Sequence, residues 1–414
     1  MTTVKLPQYM WYEPREVEFP LPDGWQVTVH NIAGYDKPAM KTDEIKAAIS
    51  SPIGMPPLRE MAKGKNEVVI LFDDLTRSTR ASEIVPFVLE ELAAAGITDD
   101  RIRFIASVAN HQALDRIGMA KKLGEDIVAR FPVFNHCPFL NCTYVGTTSY
   151  GTKASINSEV LRCDLKIGIG SIAPHPQYGL SGGGKIILPG VASYDTVKAH
   201  HQEIHEAWKG EQRKKGLPLR GTVDDSPINA DAREVAIMAR LDMSINCLPN
   251  GRGETAIIFA GALEPTYQAA VKEAQSHYLA ANTGDNDIVI ANAFIKAGEY
   301  YMAMAAMPAV TPQGGSAVVI ASPPSGQVVH YLFDILGKPV AGSEHHGSGI
   351  APHIKNFIIY NEYPEAKMLG HFANRDKVLL TSDWKKVIER LEKSHGASAK
   401  VAVYPNADTQ YFAH

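Results

Sequence analysis

Two histidines, an arginine, two carboxylates and a lysine stand just past the ends of successive apolar runs in this 414-residue chain. Asp73, Asp74, Thr76 and Arg77 end or follow EVVILFDD (67–74). Asn110 and His111 close RIRFIASVAN (101–110), and His175 and Pro176 follow DLKIGIGSIAP (164–174), with Lys185 shortly after. Histidine exchanges protons near neutral pH, so a pair at neighbouring strand ends can address one carbon from two faces. Racemisation or epimerisation asks for such a pair, one residue taking a proton as the other gives one. Arg77 supplies a planar fork that matches a carboxylate or phosphate; its bland alternative is an ion pair with Asp73 or Asp74. Lys185 lies in GLSGGGKIILPG (179–190), and a partly desolvated amine in a glycine bed is a nucleophile or a covalent attachment point.

Gly179, Gly184 and Lys185 also match the G-x-x-x-x-G-K spacing of a phosphate loop. Ile186 occupies the position where that motif needs a hydroxyl for Mg²⁺, so the metal arm is missing. Either a degenerate nucleotide loop or a glycine turn with a solvated lysine remains. Downstream, VASYDTVKAHHQEIH (191–205) places His201 and His205 at i, i+4 on one helix face, a spacing suited to a metal that imidazoles favour and equally to solvated helix histidines. His345, His346 and His353 in SEHHGSGIAPH (343–353) hint at a separate metal site or a cleft-lining glycine-rich loop. Cys137, Cys142, Cys163 and Cys247 have neither disulfide-framework nor zinc spacing.

These residues need a scaffold of alternating strands and helices. Between the first two apolar runs, SEIVPFVLEELAAAGI (82–97) has helical spacing and a terminal Gly96. Strand, helix, strand predicts a mostly parallel sheet covered on both faces, and in such sheets ligands bind beyond the C-terminal strand ends. A second series follows ANTGDND (281–287): DIVIANAF, a Met/Ala/Tyr-rich helix, SAVVIASPP, KVLLTSDWKKVIERLEKSHG and KVAVYPNA. The fold class is therefore α/β, with two domains of mostly parallel sheets and an active-site cleft between them. The boundaries fall at 1–280 and 281–399, with the 400–414 tail able to pack back on the first domain. With 45% hydrophobic and 21% charged residues the chain is globular, and a net charge of −4 leaves no basic footprint for nucleic acid. RKK at 213–215 reads as a solvated turn. No leader-like N-terminus and no run near the ~18 apolar residues of a membrane span predict a cytoplasmic protein.

Taken together these pieces resemble the lactate racemase family of nickel-pincer-nucleotide enzymes. They are DDLTRSTR (73–80), NH (110–111), GTTSYGTKASIN (146–157), APHPQYGLSGGGKIILPGVASYDTVKAHH (173–201) and the DIVIANAF strand. The resemblance implies an isomerase that racemises or epimerises a 2-hydroxy acid. It implies that Lys185 is covalently joined to a thio-substituted pyridinium mononucleotide, with Gly183, Gly184, Asp74 and Thr76 around the cofactor and His201 holding its nickel. Arg77 would orient substrate. His111 and His175 would trade the hydroxyl proton while the cofactor takes and returns hydride, the hard chemistry belonging to the cofactor. Proteins for cofactor synthesis and nickel delivery are implied partners.

Departures from the family pattern concern substrate. Gln112 and Gly184 stand where arginine is usual, and His200 replaces an asparagine. The Tyr-Gln-x-x-Lys element that grips a substrate carboxylate becomes Tyr301, Met302 and Ala305. Losing a cation and a hydrogen bonder should cost ~2–5 kcal/mol for a small carboxylate. The implied substrate is thus a 2-hydroxy acid larger or more apolar than lactate, with a sugar or polyol as the alternative, and a degenerate phosphate-loop nucleotide binder, or a member that binds without turnover, as the competing readings. Met302 has a plain helix-core reading as well.

Overall fold

Val68–Phe72 reads VVILF and is buried at every position, as a strand covered on both faces must be. It is the centre of the larger of two compact units in the computed structural model, which describes residues 2–215, 226–332 and 350–413. That unit comprises Lys37–Asn250 and Glu254–Ser276. Its six-stranded sheet runs Thr255–Gly261, Met243–Pro249, Leu165–Ser171, Val68–Phe72, Ile102–Ala106, Val133–Asn135. Every neighbouring pair is parallel except the first. Numbered along the chain, the order is that of a doubly wound nucleotide-binding sheet with its last strand reversed.

The helix Ala81–Ala94 lays Ile84, Val85, Val88 and Leu92 on this sheet, the i, i+3/i+4 stripe legible in the sequence. They share one core with Ile70, Phe72, Phe104, Ile167, Ile169 and Ile245. The chain turns after the helix at Gly96, whose φ of +85° a side chain would oppose.

The second unit comprises Met1–Asp36, Gly251–Gly253 and His277–His414. Its sheet is parallel throughout, in the order Val378–Thr381, Ile354–Tyr360, Gly315–Ile320, Ile288–Asn292, Lys400–Tyr404, Gln26–Val29. Two features differ from the sequence reading. Residues 1–36 belong here, because Leu6, Phe19, Leu21 and Trp25 enter the core formed by Ile290, Val318, Ile358 and Val401. The 400–404 segment is no tail laid on the first domain but an inner strand of this sheet. Contiguity in sequence concealed both pairings. The Met/Ala/Tyr-rich segment Ala297–Ala309 is a run of tight 3₁₀ turns broken at Glu299 (φ −127°, ψ 58°), with Gly298 and Pro308 disfavouring a continuous helix.

Candidate active site

In the larger unit Val68–Phe72 and Leu165–Ser171 are neighbours, and the successive strands spread from them to opposite sides. Ligands of such sheets bind beyond the strand ends where the winding direction reverses. Asp73 and Asp74 leave the first of these strands, and the chain to His175 leaves the second.

Asp74 organises one side. Its Oδ1 accepts from the Thr76 amide at 2.9 Å and from the Thr76 hydroxyl, and its Oδ2 lies 2.6 Å from His111 Nδ1. Burial alone would raise this carboxyl, but the charge and hydrogen bond of His111, then Arg77 and Thr76, hold it well below the usual carboxylate range. An ionised Asp74 only accepts, so His111 donates through Nδ1–H and its neutral form leaves Nε2 as the basic nitrogen. Ala109, at φ +52°, makes the turn that delivers His111, and its amide bonds to Gly190 O at 2.9 Å. Arg77 sends Nη1 to Thr76 O (3.0 Å) and Thr76 Oγ1 (2.7 Å). Asp73 pairs with the fully buried Lys122 at 2.6 Å; burial pushes its carboxyl up and Lys122 opposes that shift. On the same strand end the buried Ser107 hydroxyl and both amide atoms of Asn110 lack a hydrogen-bond partner.

Lys185 organises the other side. The two-residue strands Pro174–His175 and Gly179–Leu180 pair as a hairpin, and its turn aims the Gln177 amide at His175 Nδ1, 3.1 Å away. That nitrogen accepts, so in neutral His175 the proton sits on Nε2. Gly182 (φ +116°) and Gly183 (φ +53°) then turn the chain into the single 3₁₀ turn Gly183–Ile186. The amide of Gly183 bonds Asn246 Oδ1, that of Lys185 bonds Gly182 O, and those of Ile187 and Leu188 bond Gly184 O. These four N–H groups are engaged within the fold and are not donors for a phosphate cradle. Lys185 Nζ instead sits over the Tyr178 ring, 4.3 Å from its centroid.

His201 arrives on a helix that begins at Tyr194–Ala199, loosens into a π-turn at His200–Ile204 and continues through His205–Lys215. Such bulges recur at functional sites. The RKK segment at 213–215 lies in this helix and not in a turn. His201 Nδ1 meets Val197 O at 3.0 Å, so Nδ1 carries the proton and Nε2 presents the lone pair a metal needs. His205 is buried beside Glu206, and burial lowers its imidazole to about 4. Among the described residues no group of three or more His, Cys, Asp or Glu side chains could hold a metal. His345 and His346 lie outside the described residues, and the His353 carbonyl accepts from the Gly315 amide at 3.1 Å.

One ring gathers this side. Tyr178 lies 5.2 Å from the His175 ring, edge to face, and 6.1 Å from that of His201. Its signal in the sequence was only its place between His175 and Lys185. Lys122 and Asp231 were missed too, the first because KK at 121–122 reads as a solvated pair.

Tyr301, Met302 and Ala305 belong to the other unit. Tyr301 lines a pocket with Glu299, Gln327, His330, Lys367 and His371. Its hydroxyl donates to Glu299 Oε1 at 3.0 Å and its ring stacks on His371. Met302 is only 3% exposed and is not among the pocket's lining.

This architecture places Lys185, His111 and His175 beyond the strand ends at the switch point of a doubly wound α/β sheet. Residues 12–212 match the family described as lactate racemase N-terminal domain. Lactate racemase of Thermoanaerobacterium thermosaccharolyticum is 29% identical over 294 residues, 70% of this chain and 66% of that protein. Its namesake from Lactiplantibacillus plantarum is 29% identical over 321 residues, covering 74% and 73%. The chain therefore spans about two thirds of the first relative's length. Among solved structures, lactate racemase apoprotein from Thermoanaerobacterium thermosaccharolyticum superposes with a TM-score of 0.74 at 20% identity over 100% of both chains. A Thermotoga maritima protein does so with 0.66 at 15% identity, covering 91% and 98%. Residues 12–212 thus match the lactate racemase N-terminal domain, and the chain is a divergent homologue of lactate racemases. No helix among the described residues is long and apolar enough to cross a membrane.

Proposed function

We propose that this chain inverts a secondary-alcohol carbon, that of a 2-hydroxy acid larger or more apolar than lactate, using a nickel-pincer nucleotide tethered at Lys185. The observation that carries the proposal is the Tyr178 ring, against which the Lys185 amine, His175 and His201 all lie. The donor set fits the group: an amine for the covalent link, an imidazole Nε2 for nickel, and the Asp74–Thr76 corner with the unpartnered Ser107 and Asn110 for polar parts of a nucleotide. When bound, the nucleotide supplies the hydride acceptor.

The chain's own residues handle the proton. With Asp74 holding His111 Nδ1–H, Nε2 of His111 is a base that becomes an acid once protonated; with the Gln177 amide on His175 Nδ1, His175 would meet substrate through Nε2. One histidine would receive the hydroxyl proton while the other, as its imidazolium, returns one. Arg77, held at Nη1 by Thr76, would orient a substrate carboxylate. Proteins that make the nucleotide and deliver nickel are the expected partners.

A second reading, epimerisation of a sugar or polyol, is favoured by the polar lining around Tyr301. Lys367 there is already paired with Glu365 Oε2 at 2.9 Å and Gln327 O at 2.7 Å, while Glu299 accepts hydrogen bonds. Hydroxyl groups suit that lining better than a second carboxylate.

Protein co-produced with the cofactor-making enzymes should carry a nucleotide-sized adduct on the Lys185 peptide, lost in Lys185→Ala, and nickel, lost in His201→Ala. Chiral chromatography of phenyllactate, lactate, an aldose and its polyol incubated with that protein then separates the two substrate readings. An unmodified Lys185 in wild-type protein, under conditions that load a relative, would refute the proposal.

A further inference from the structure

Tyr178 is more than filling beneath the site. Its side chain is fully buried, and its O–H lies 2.6 Å from His200 Nε2. His200 Nδ1 lies 2.5 Å from Asp231 Oδ2, and Asp231 also receives Thr148 Oγ1 at 2.5 Å and Thr152 Oγ1 at 2.9 Å. A carboxylate that accepts all three fixes the direction of the chain: Nδ1–H of His200 donates to Asp231, and Nε2 accepts from the phenol. Burial raises the Tyr178 hydroxyl well above its ordinary range, so it stays the donor. His200 and Asp231 are both fully buried.

The brace comes from one helix. Pro227–Met238 supplies Asp231, and from the same helix Asn229 Nδ2 bonds the Tyr178 carbonyl at 2.7 Å and that of Leu180 at 3.1 Å. It also passes so close to the lysine loop that a Cβ on Gly184 would meet Ala232 O at 2.8 Å. The ring is therefore fixed at its oxygen, its backbone is fixed at its carbonyl, and a face remains for the Lys185 ammonium. At 4.3 Å that contact is within the range of cation–π attraction. A tyrosine placed only to fill the core would need neither a buried acceptor chain nor a cation on its face.

We infer that Tyr178, braced by His200 and Asp231, is a positioning residue that sets the Lys185 amine for attachment of the nucleotide, in which the amine nitrogen would form an amide-type bond to a thiocarboxyl carbon with loss of water or hydrogen sulfide. The inference rests on the attachment proposed above. The helix 227–238 then acts at the lysine through two side chains, Asn229 on the backbone of the loop and Asp231 on the ring.

The test compares adduct yield on Lys185, by peptide mass spectrometry, among wild type, Tyr178→Leu, Tyr178→Phe, His200→Asn and the last two combined, all co-produced with the cofactor-making enzymes. Yields are taken per folded molecule, with melting temperature measured beside them. Tyr178→Leu should load at least tenfold less; Tyr178→Phe and His200→Asn about threefold less each. The double variant should be no worse than either single, because one chain is cut twice. In protein made without the cofactor, acylation of Lys185 relative to exposed Lys63 should change at least fivefold in Tyr178→Leu. If Tyr178→Leu does not fold, the Tyr178→Phe and His200→Asn pair decides. Wild-type loading with equal loading in the variants overturns this inference and leaves the proposed function standing. Absence of an adduct on wild type removes the proposed function itself.

Discussion

Replacing Lys122 by methionine isolates the electrostatics beneath the site. Lys122, on the helix Arg116–Leu123, is fully buried, and its ammonium meets Asp73 Oδ1 at 2.6 Å. Lys122→Met keeps most of the stem's volume and removes the charge, leaving Asp73 with Thr79 Oγ1 at 2.6 Å as its remaining hydrogen bond here. Orphaning one partner of a buried pair costs ~3–5 kcal/mol. The carboxylate has one escape, which is to take a proton. At pH 7 that costs about 1.4 kcal/mol for each unit above an unfolded pKa of ~3.9, or ~4 kcal/mol, and this caps the loss.

The cap falls as the solution is acidified. A carboxyl whose folded pKa is raised contributes stability below its unfolded pKa and loses it as pH rises. The variant should therefore be ~4 kcal/mol less stable than wild type at pH 7 and only ~1.5 kcal/mol less stable at pH 5. Adding Asp73→Asn removes the orphaned acid, so the double variant should recover most of the loss and show little dependence on pH. Urea unfolding followed by hydrogen-exchange labelling of peptides covering Val68–Phe72 and Leu165–Ser171 reports on this unit alone. Equal losses at pH 5 and pH 7, or no rescue by Asp73→Asn, would refute the reasoning.

Asp74 should behave in the opposite sense. Its depressed pKa gives stability above about pH 4 that is lost on acidification, so Asp74→Asn should flatten the acid limb of a circular-dichroism titration. Stereoisomer conversion should fall ~100-fold, because His111 loses the acceptor that fixes its tautomer; unchanged conversion would contradict the assignment. Thiol labelling of the folded protein should show one fast cysteine, the exposed Cys137, abolished by Cys137→Ser. Burial raises Cys142 to about 11 and also raises the buried Cys163 and Cys247, so fast labelling of any of these three would be the contrary result.

Local signals carried far in this chain. Apolar runs ending in charged or glycine-rich turns marked the strands Val68–Phe72, Ile102–Ala106 and Leu165–Ser171 and the residues at their ends, because a doubly buried strand has a composition no loop shares. The histidine and lysine positions followed from those ends. What escaped depends on long-range packing. Tyr178 is tied through His200 to Asp231, on a helix that begins 49 residues later, a pairing that no local pattern announces. Gly184 reads in sequence as a missing arginine, whereas in the fold Ala232 O stands where its side chain would go. Gln26–Val29 has too few apolar residues to announce a strand, and its partner Lys400–Tyr404 lies near the other end of the chain.

That last pairing bears on how the protein is made. Gln26–Val29 emerges from the ribosome long before the strand it joins, and at ~5–20 residues per second about 370 further residues take roughly 20–75 s. The unit built from 37–250 and 254–276 is complete in the meantime and can fold while the other still lacks an inner strand. A chain stopped just before Lys400 would thus spare the lysine and histidine site yet leave Ile288–Asn292 exposed along one edge, a sticky surface of the kind that chaperones and proteases recognise.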